Sequence, residues 1–280
     1  MPIVPDPAPS ADASAALARL HAGAEALWQA IGPAWPDLSV EVVPAIDSTN
    51  AELMRRARAG RTEPVVLAAL QQHAGRGRLG RPWVTVPGAS LALSIGCRLA
   101  PADWSGLSLA VGLAAAQALD PAVRLKWPND LWWEGRKLGG ILIETASAGN
   151  AAERARYCVI GLGVNLATPA LPADAPPDAV APTGLDELAR AQGRQPWDLG
   201  DALAALGTAV LRALLAFERA GFAPLVAQYD ARDALRGRPV RLSDGSEGVA
   251  DGVDPDGALR LRTASGWRAV RQGEVSVRPC

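Results

Sequence analysis

Lys126-Trp127-Pro128-Asn129-Asp130-Leu131-Trp132-Trp133-Glu134-Gly135-Arg136-Lys137-Leu138-Gly139-Gly140 contains both lysines of a 280-residue chain. Everywhere else the basic residue is arginine. An ammonium is a compact point charge with rotatable donors, suited to carboxylate or phosphate oxygens in a tight site, whereas a guanidinium is a broad planar fork. The stretch therefore marks positions where a guanidinium will not serve. It also has strand character. Val123 to Trp127 leads in, Leu131 to Trp133 continues, Glu134-Gly135 turns, and Gly139 to Thr145 returns as in a hairpin. Within it Pro128 fixes a bend that sets the ammonium of Lys126 beside the amide of Asn129 and the carboxylate of Asp130. A salt-bridged hairpin edge is the plainer reading of that trio.

Upstream, Leu17, Leu20, Ala24 and Leu27 share one helical face, and Leu38 to Pro44 alternates like a strand. Asp47-Ser48-Thr49-Asn50-Ala51-Glu52 is a helix start in which Ser48 or Thr49 caps and Glu52 takes the capping-box position. Val65 to Leu70 reads as a buried strand, 71–82 as a polar Gly/Arg loop, Ser90 to Arg98 as a strand and Leu107 to Leu119 as a helix. Downstream come a strand over Tyr157 to Leu166, a Pro/Ala-rich mobile loop over 168–182, and helices over about 184–192 and 197–231, the second broken near Gly221-Phe222. From Gly237 to Val277 the texture changes to about five short strands, a small β-barrel with little core of its own. The expected organisation is a disordered stretch over 1–13, an α/β catalytic domain over 14–235 and a barrel over 236–280.

The formal net charge of −1 provides no global field for nucleic acid or an anionic membrane. Cys97, Cys158 and Cys280 have neither metal nor disulfide spacing, which fits a reducing compartment, and two histidines exclude a histidine-rich metal site. The N-terminus lacks the pattern of a signal peptide, and no segment reads as long and apolar enough to span a membrane. The expectation is a soluble, cytoplasmic protein.

Three further motifs carry chemistry. Gln71-Gln72-His73-Ala74-Gly75-Arg76-Gly77-Arg78-Leu79-Gly80-Arg81-Pro82-Trp83 alternates glycine with arginine, so backbone amides and forked donors can face an anion. It lacks the Lys-Ser/Thr ending of a P-loop, and a solvated turn or an RNA-binding arginine loop would also account for it. Ser48-Thr49-Asn50 offers hydroxyls and an amide at a helix N-terminus, where simple capping is the plainer reading. Ile160-Gly161-Leu162-Gly163-Val164-Asn165 is an apolar strand with two glycines and a polar tip, a pattern that packing alone can explain.

Taken in order, these four motifs resemble those of biotin–protein ligases, from about residue 40 to the C-terminus. The tail, Gly257-Ala258-Leu259 followed by Gly273-Glu274-Val275-Ser276-Val277-Arg278, looks like that family's C-terminal SH3-like barrel. The resemblance implies an α/β (α+β) mixed-sheet catalytic domain of the kind shared by class II aminoacyl-tRNA synthetases and biotin–lipoate ligases. It implies condensation of biotin with ATP to biotinyl-5′-AMP, with Mg²⁺ as the accompanying ion, then transfer to a lysine of a biotin carboxyl carrier domain. By resemblance Ser48, Thr49 and Asn50 line the biotin pocket, and Gln72 contacts the bicyclic head. Arg76, Gly77 and Arg78 belong to a loop closing over biotin and phosphates. Lys137 meets the biotin carboxylate and α-phosphate, with Gly140 and Gly161 close to the ligand. Arg78, Arg81, Trp83, Asn129 and Asn165 fall near the nucleotide. Lys126 holds Asp130 and the nucleotide pocket, and Asp130 orients or deprotonates the attacking amine. No protein metal ligands are expected.

Some members carry an N-terminal winged helix-turn-helix. About 40 residues precede Ser48-Thr49-Asn50 here, so no operator binding is expected, while pairing through sheet edges into a homodimer stays open. A lipoate–protein ligase shares this catalytic logic, and a non-catalytic biotin sensor would share the pocket. The Gly-Arg loop, the barrel and the two lysines favour a biotin ligase.

Overall fold

A computed structural model describes residues 11–146, 155–171, 179–271 and 278–279. Seven strands form the main sheet: β1 (Ser39–Ile46), β2 (Val65–Gln72), β3 (Ser90–Leu99), β4 (Arg124–Lys126), β5 (Asp130–Trp133), β6 (Arg136–Ala146) and β7 (Arg156–Asn165), ordered β1-β2-β3-β7-β6-β5-β4. Only the β1–β2 pair is parallel. β2 and β3 are almost continuously buried, which is why apolar residues face both sides of these strands instead of alternating with polar ones.

The helices are α1 (Ala11–Ile31), α2 (Thr49–Arg58), α3 (Leu107–Leu119), α4 (Leu185–Ala191), α5 (Leu199–Ala220) and α6 (Val226–Asp230). α1, α3 and α5 pack together over one face of the sheet, and α2 lies on the other. The expected disorder over 1–13 needs correction where it can be seen. Ala11, Asp12 and Ala13 are already helical, and 1–10 lie outside the described residues. A second correction concerns α5. Its 22 residues are long and apolar enough to cross a membrane, contrary to the sequence reading. Half of that apolar window is buried, packed against α1 and α3. Gly221, at φ 64°, ends α5 where the break was expected.

The face beneath α2 is where the glycines matter. Ala69, Ala92, Gly163, Gly140 and Asp130 stand in one cross-strand row, and Leu67, Ser94, Gly161 and Leu142 in the next. Small residues at the centre of both rows lower the sheet surface into a shallow floor. Such glycines in a strand interior cost packing and mark close approach by other groups.

The C-terminal strands, β8 (Pro239–Arg241), β9 (Glu247–Val253), β10 (Leu259–Thr263), β11 (Gly266–Val270) and β12 (Arg278–Pro279), form an antiparallel sheet ordered β11-β10-β9-β8-β12. The residues Gly273 to Val277 of the expected tail motif fall outside the described residues. Five short strands do not make an independent core. Val240, Ala250, Leu259 and Leu261 are buried in the same apolar cluster as the main sheet. Trp127 Nε1 donates to Gly257 O at 3.0 Å, which ties the bend at Pro128 to the C-terminal unit. The edge of β4 is covered as well. Leu125 N donates to Arg232 O and Ala234 N to Leu125 O, both at 2.8 Å.

Candidate active site

The first half of the site is a buried polar cluster at the start of α2. Ser48 caps the helix, its side chain accepting from Ala51 N, and Ser48, Thr49 and Asn50 are all buried. The expected capping box does not form. With Ser48 as cap, Glu52 falls one position late, and it pairs with Arg55 and Arg56 instead. Thr49 N donates to Gln72 Oε1 at 2.8 Å, and Thr49 Oγ1 lies 3.1 Å from the same oxygen. Asn50 Nδ2 donates to Glu144 Oε2 at 2.9 Å and to Leu142 O at 3.3 Å. Beneath them Ser94 Oγ lies 2.6 Å from Asn50 Oδ1 and 2.7 Å from Thr49 Oγ1. Just outside, Arg55 grips Asp47 through two bonds at 2.7 and 2.9 Å, which lowers the Asp47 carboxyl to about 2. Capping alone does not require this arrangement.

Two glycines let neighbours sit on the floor. A Cβ on Gly161 would lie 2.2 Å from Asn50 Oδ1, and one on Gly163 would lie 2.3 Å from the Trp83 indole. Gly140 is different: its nearest neighbour would be the flexible Lys137 Nζ at 3.4 Å.

The second half is cationic. Lys137 Nζ donates to Asp130 Oδ1 at 2.8 Å, and Lys126 Nζ stands 3.9 Å from Asp130 Oδ2 and 5.2 Å from the centre of the Trp132 ring. Arg78 donates to Asn129 Oδ1 at 3.3 Å, and Asn129 Nδ2 donates to Ile141 O at 2.7 Å. Burial draws the Arg78 pKa below the ordinary arginine value, with Asp130 opposing. The Gly-Arg loop is a tight excursion. Gly77 N donates to Arg81 O, Trp83 N donates to Gly75 O, and Leu79 takes φ 58° between Arg78 and Gly80. Arg76 and Arg81 point to solvent, while Arg78 turns inward. Asn165 stands apart from the cations, its Nδ2 donating to Thr183 O. Thr183 N in turn donates to Lys137 O and Lys137 N to Ala181 O, so the end of the 168–182 segment is stitched to β6. Within that segment 172–178 lie outside the described residues.

Sequence reasoning missed Ser94, Glu144 and Thr183, and named Gly163 within its motif without giving it a role. Ser94 had a signal, since a fully buried serine in an apolar strand must find polar partners. Glu144 had none, because only the fold brings it to Asn50.

Chemically, the site sets a neutral hydroxyl and amide cluster beside an array of cations, a combination suited to binding a small carboxylic acid and activating it. Two family descriptions match the chain: "Biotin/lipoate A/B protein ligase family" over 42–165 and "Biotin protein ligase C terminal domain" over 236–278. A bifunctional ligase/repressor BirA of Escherichia coli is 38% identical over 86% of this chain and 74% of its own length. A biotin–[acetyl-CoA-carboxylase] ligase of Mycobacterium tuberculosis is 34% identical over 87% of this chain and 90% of that one. In structure, a biotin protein ligase of Aquifex aeolicus solved with biotin and ATP aligns with TM-score 0.68 at 24% identity, over 86% of this chain and 99% of that one. The chain belongs to the biotin/lipoate A/B protein ligase family.

Proposed function

We propose that this protein is a biotin–protein ligase that activates biotin with ATP and transfers it to a lysine of a carboxylase's carrier domain. The observation that carries the reading is the convergence of Lys137 and Lys126 on Asp130, with Arg78 on neighbouring Asn129, beside the buried polar cluster of Ser48, Thr49, Asn50 and Gln72. The named relatives in Mycobacterium tuberculosis and Paracoccus denitrificans support the biotin and carboxylase assignment.

Biotin's carboxylate is ionised at neutral pH, so the first step needs no general base. A carboxylate oxygen bonds to the α-phosphorus of ATP, the bond to the β-phosphate oxygen breaks, and pyrophosphate leaves. The obstacle is bringing two anions together; Lys137 and Arg78 neutralise that charge with donors fixed in advance, and Arg76, exposed on the loop, would join them on closure. In the second step the amine nitrogen bonds to the acyl carbon, the anhydride C–O bond breaks and AMP leaves. Asp130 orients the amine or takes its proton. Arg81, Trp83, Asn129 and Asn165 border the nucleotide, Gly77 lets the loop close, and Gly140 and Gly161 keep the floor low. Among the described residues no group of three or more His, Cys, Asp or Glu could hold a metal ion. We therefore write Mg²⁺ as part of the nucleotide substrate, held by the phosphates.

Residues 14–235 form the catalytic unit in this reading and 236–280 the SH3-like unit. The reaction is placed in the cytoplasm, and the terminal strand β1 is the sheet edge available for a homodimer. No DNA or membrane role is assigned, in keeping with the net charge of −1. Pyrophosphate exchange tests the first step: incorporation with biotin and none with lipoate supports the reading, and the reverse moves the substrate to lipoate.

A further inference from the structure

Lys126, Asn129 and Asp130 sit on one bend, and the bend is pinned rather than packed. Ser108, Gly112, Pro128, Ile141 and Tyr229 line a narrow cavity between it, α3 and α6. Hydrogen bonds hold the bend in place. Trp127 Nε1 donates to Gly257 O at 3.0 Å, Asn129 Nδ2 to Ile141 O at 2.7 Å and Ile141 N to Asn129 O at 2.9 Å. Pro128 has no N–H, so its carbonyl is its one hydrogen-bonding backbone group. That carbonyl accepts from Ser108 Oγ at 3.2 Å. Ser108 stands in the first turn of α3, buried at 5% exposure. A helical serine usually turns its hydroxyl to solvent or to the carbonyl one turn back. Ser108 instead reaches out of its helix to the bend.

We infer that Ser108 is a positioning residue whose hydroxyl fixes the Pro128 carbonyl and, through the bend, the placement of Asp130 against Lys126. The two residues are register partners across the bend, and the 3.9 Å between Lys126 Nζ and Asp130 Oδ2 depends on its shape. Ser108 touches no substrate in this account; it acts through Asp130. The inference rests on the reading that Asp130 orients the attacking amine or takes its proton. Without the Ser108 proton the Pro128 carbonyl is buried without that donor, and the bend relieves this by moving or by admitting water. The polar cluster of Thr49, Asn50 and Gln72 over Ser94 is built on α2, β2 and β3, so a shift of the bend leaves it in place.

The test is Ser108→Ala, with Ser108→Thr to return the hydroxyl. Ser108→Cys, of similar size and a far weaker donor, takes the place of the alanine variant if that one does not fold. Single-turnover transfer from preformed biotinyl-AMP to a biotin carboxyl carrier domain would be measured, with adenylation and the biotin Kd by calorimetry. Transfer should fall about tenfold in Ser108→Ala, the scale of a small misplacement of a group at the reacting centre. Adenylation should fall by less, and the biotin Kd should not change. Ser108→Thr should recover most of the lost rate. In an Asp130→Asn background Ser108→Ala should cost nothing further, because both changes act on one path. Normal transfer by Ser108→Ala beside impaired transfer by Asp130→Asn overturns the inference and leaves the ligase reading intact. So does a loss that threonine does not recover, that multiplies with the loss in Asp130→Asn, or that falls equally on biotin binding. Asp130→Asn protein that transfers at the wild-type rate removes the role of Asp130, and the inference with it. Wild-type protein that forms no adenylate removes the ligase reading as well.

Discussion

Lys137 and Asp130 are joined at 2.8 Å, Nζ to Oδ1, while the other oxygen of the same carboxylate faces Lys126 at 3.9 Å. The Lys126 side chain is 8% exposed and the Lys137 side chain 36%. One carboxylate therefore holds a buried ammonium and a second, more exposed one.

The two lysines should fail in different ways. Lys137→Arg puts a broad fork where two anions meet a point charge, and adenylate formation should fall by about a hundredfold, or roughly 3 kcal/mol of transition-state stabilisation, with an unchanged melt. Lys126→Met instead removes a buried partner of Asp130, and the melt should drop by an amount on the order of 2 kcal/mol. Equal small effects on activity and melting in both variants would mean that the lysine pair has no special role.

The glycines of the floor are not equivalent. Gly161→Ala would bring a Cβ to 2.2 Å from Asn50 Oδ1, so Asn50 must leave its place and biotin binding should be lost. Gly140→Ala meets the end of Lys137 at 3.4 Å and Asp130 Oδ1 at 3.6 Å, both in ordinary contact range, and its effect should fall on the adenylation rate rather than on folding. Calorimetry and melting curves on the pair separate these outcomes.

Asp130→Asn tests the second step. Single-turnover adenylation should fall less than transfer from preformed adenylate to the carrier. A variant that transfers at the wild-type rate removes Asp130 from the chemistry and leaves it as the anchor of the two lysines.

Asp233, in the segment that covers the β4 edge, predicts a pH effect. Burial pushes its carboxyl up to about 6, against the opposing hydrogen bond from Leu235 N. Its Oδ2 is buried without a partner. An unfolded aspartate titrates near 3.9, so between about pH 4 and 6 the folded state holds a proton that the unfolded chain has released. This contribution to stability is fully present below that window and is lost as pH rises through it. Asp233→Asn should therefore melt above wild type at about pH 8 and match it at about pH 4. The opposite order would mean that the fold favours the ionised carboxylate rather than penalising it.

Much of this architecture could be read from residue patterns. The limits of α3, the strand run of β2 and the break after Gly221 are written in local periodicity and turn chemistry. The paired lysines and the Gly-Arg loop announced the cationic half of the site before any fold was in view. What stayed hidden depends on register. Ser94 lies opposite Gly161, and Leu142 opposite Gly161 from the other side, only once β3, β7 and β6 are aligned. That alignment puts Glu144 within reach of Asn50 across 94 residues of chain. The inward turn of Arg78 towards Asn129, the exposure of Arg76 and the positive φ at Leu79 belong to the folded loop, and no composition rule supplies them. The reading that no segment is long and apolar enough to span a membrane failed at α5, because a helix packed between neighbours can have the length and composition of a membrane span.

The central claim is activation of biotin and its delivery to a carrier, and intact-mass analysis tests it most directly. Purified protein would be given ATP, Mg²⁺ and either biotin or lipoate, followed by a biotin carboxyl carrier domain. The account predicts biotinyl-AMP and then a gain of one biotinyl group on the carrier with wild-type protein, both formed about a hundredfold more slowly with Lys137→Arg. A lipoyl product, or folded protein that binds biotin and forms no adenylate, would contradict it.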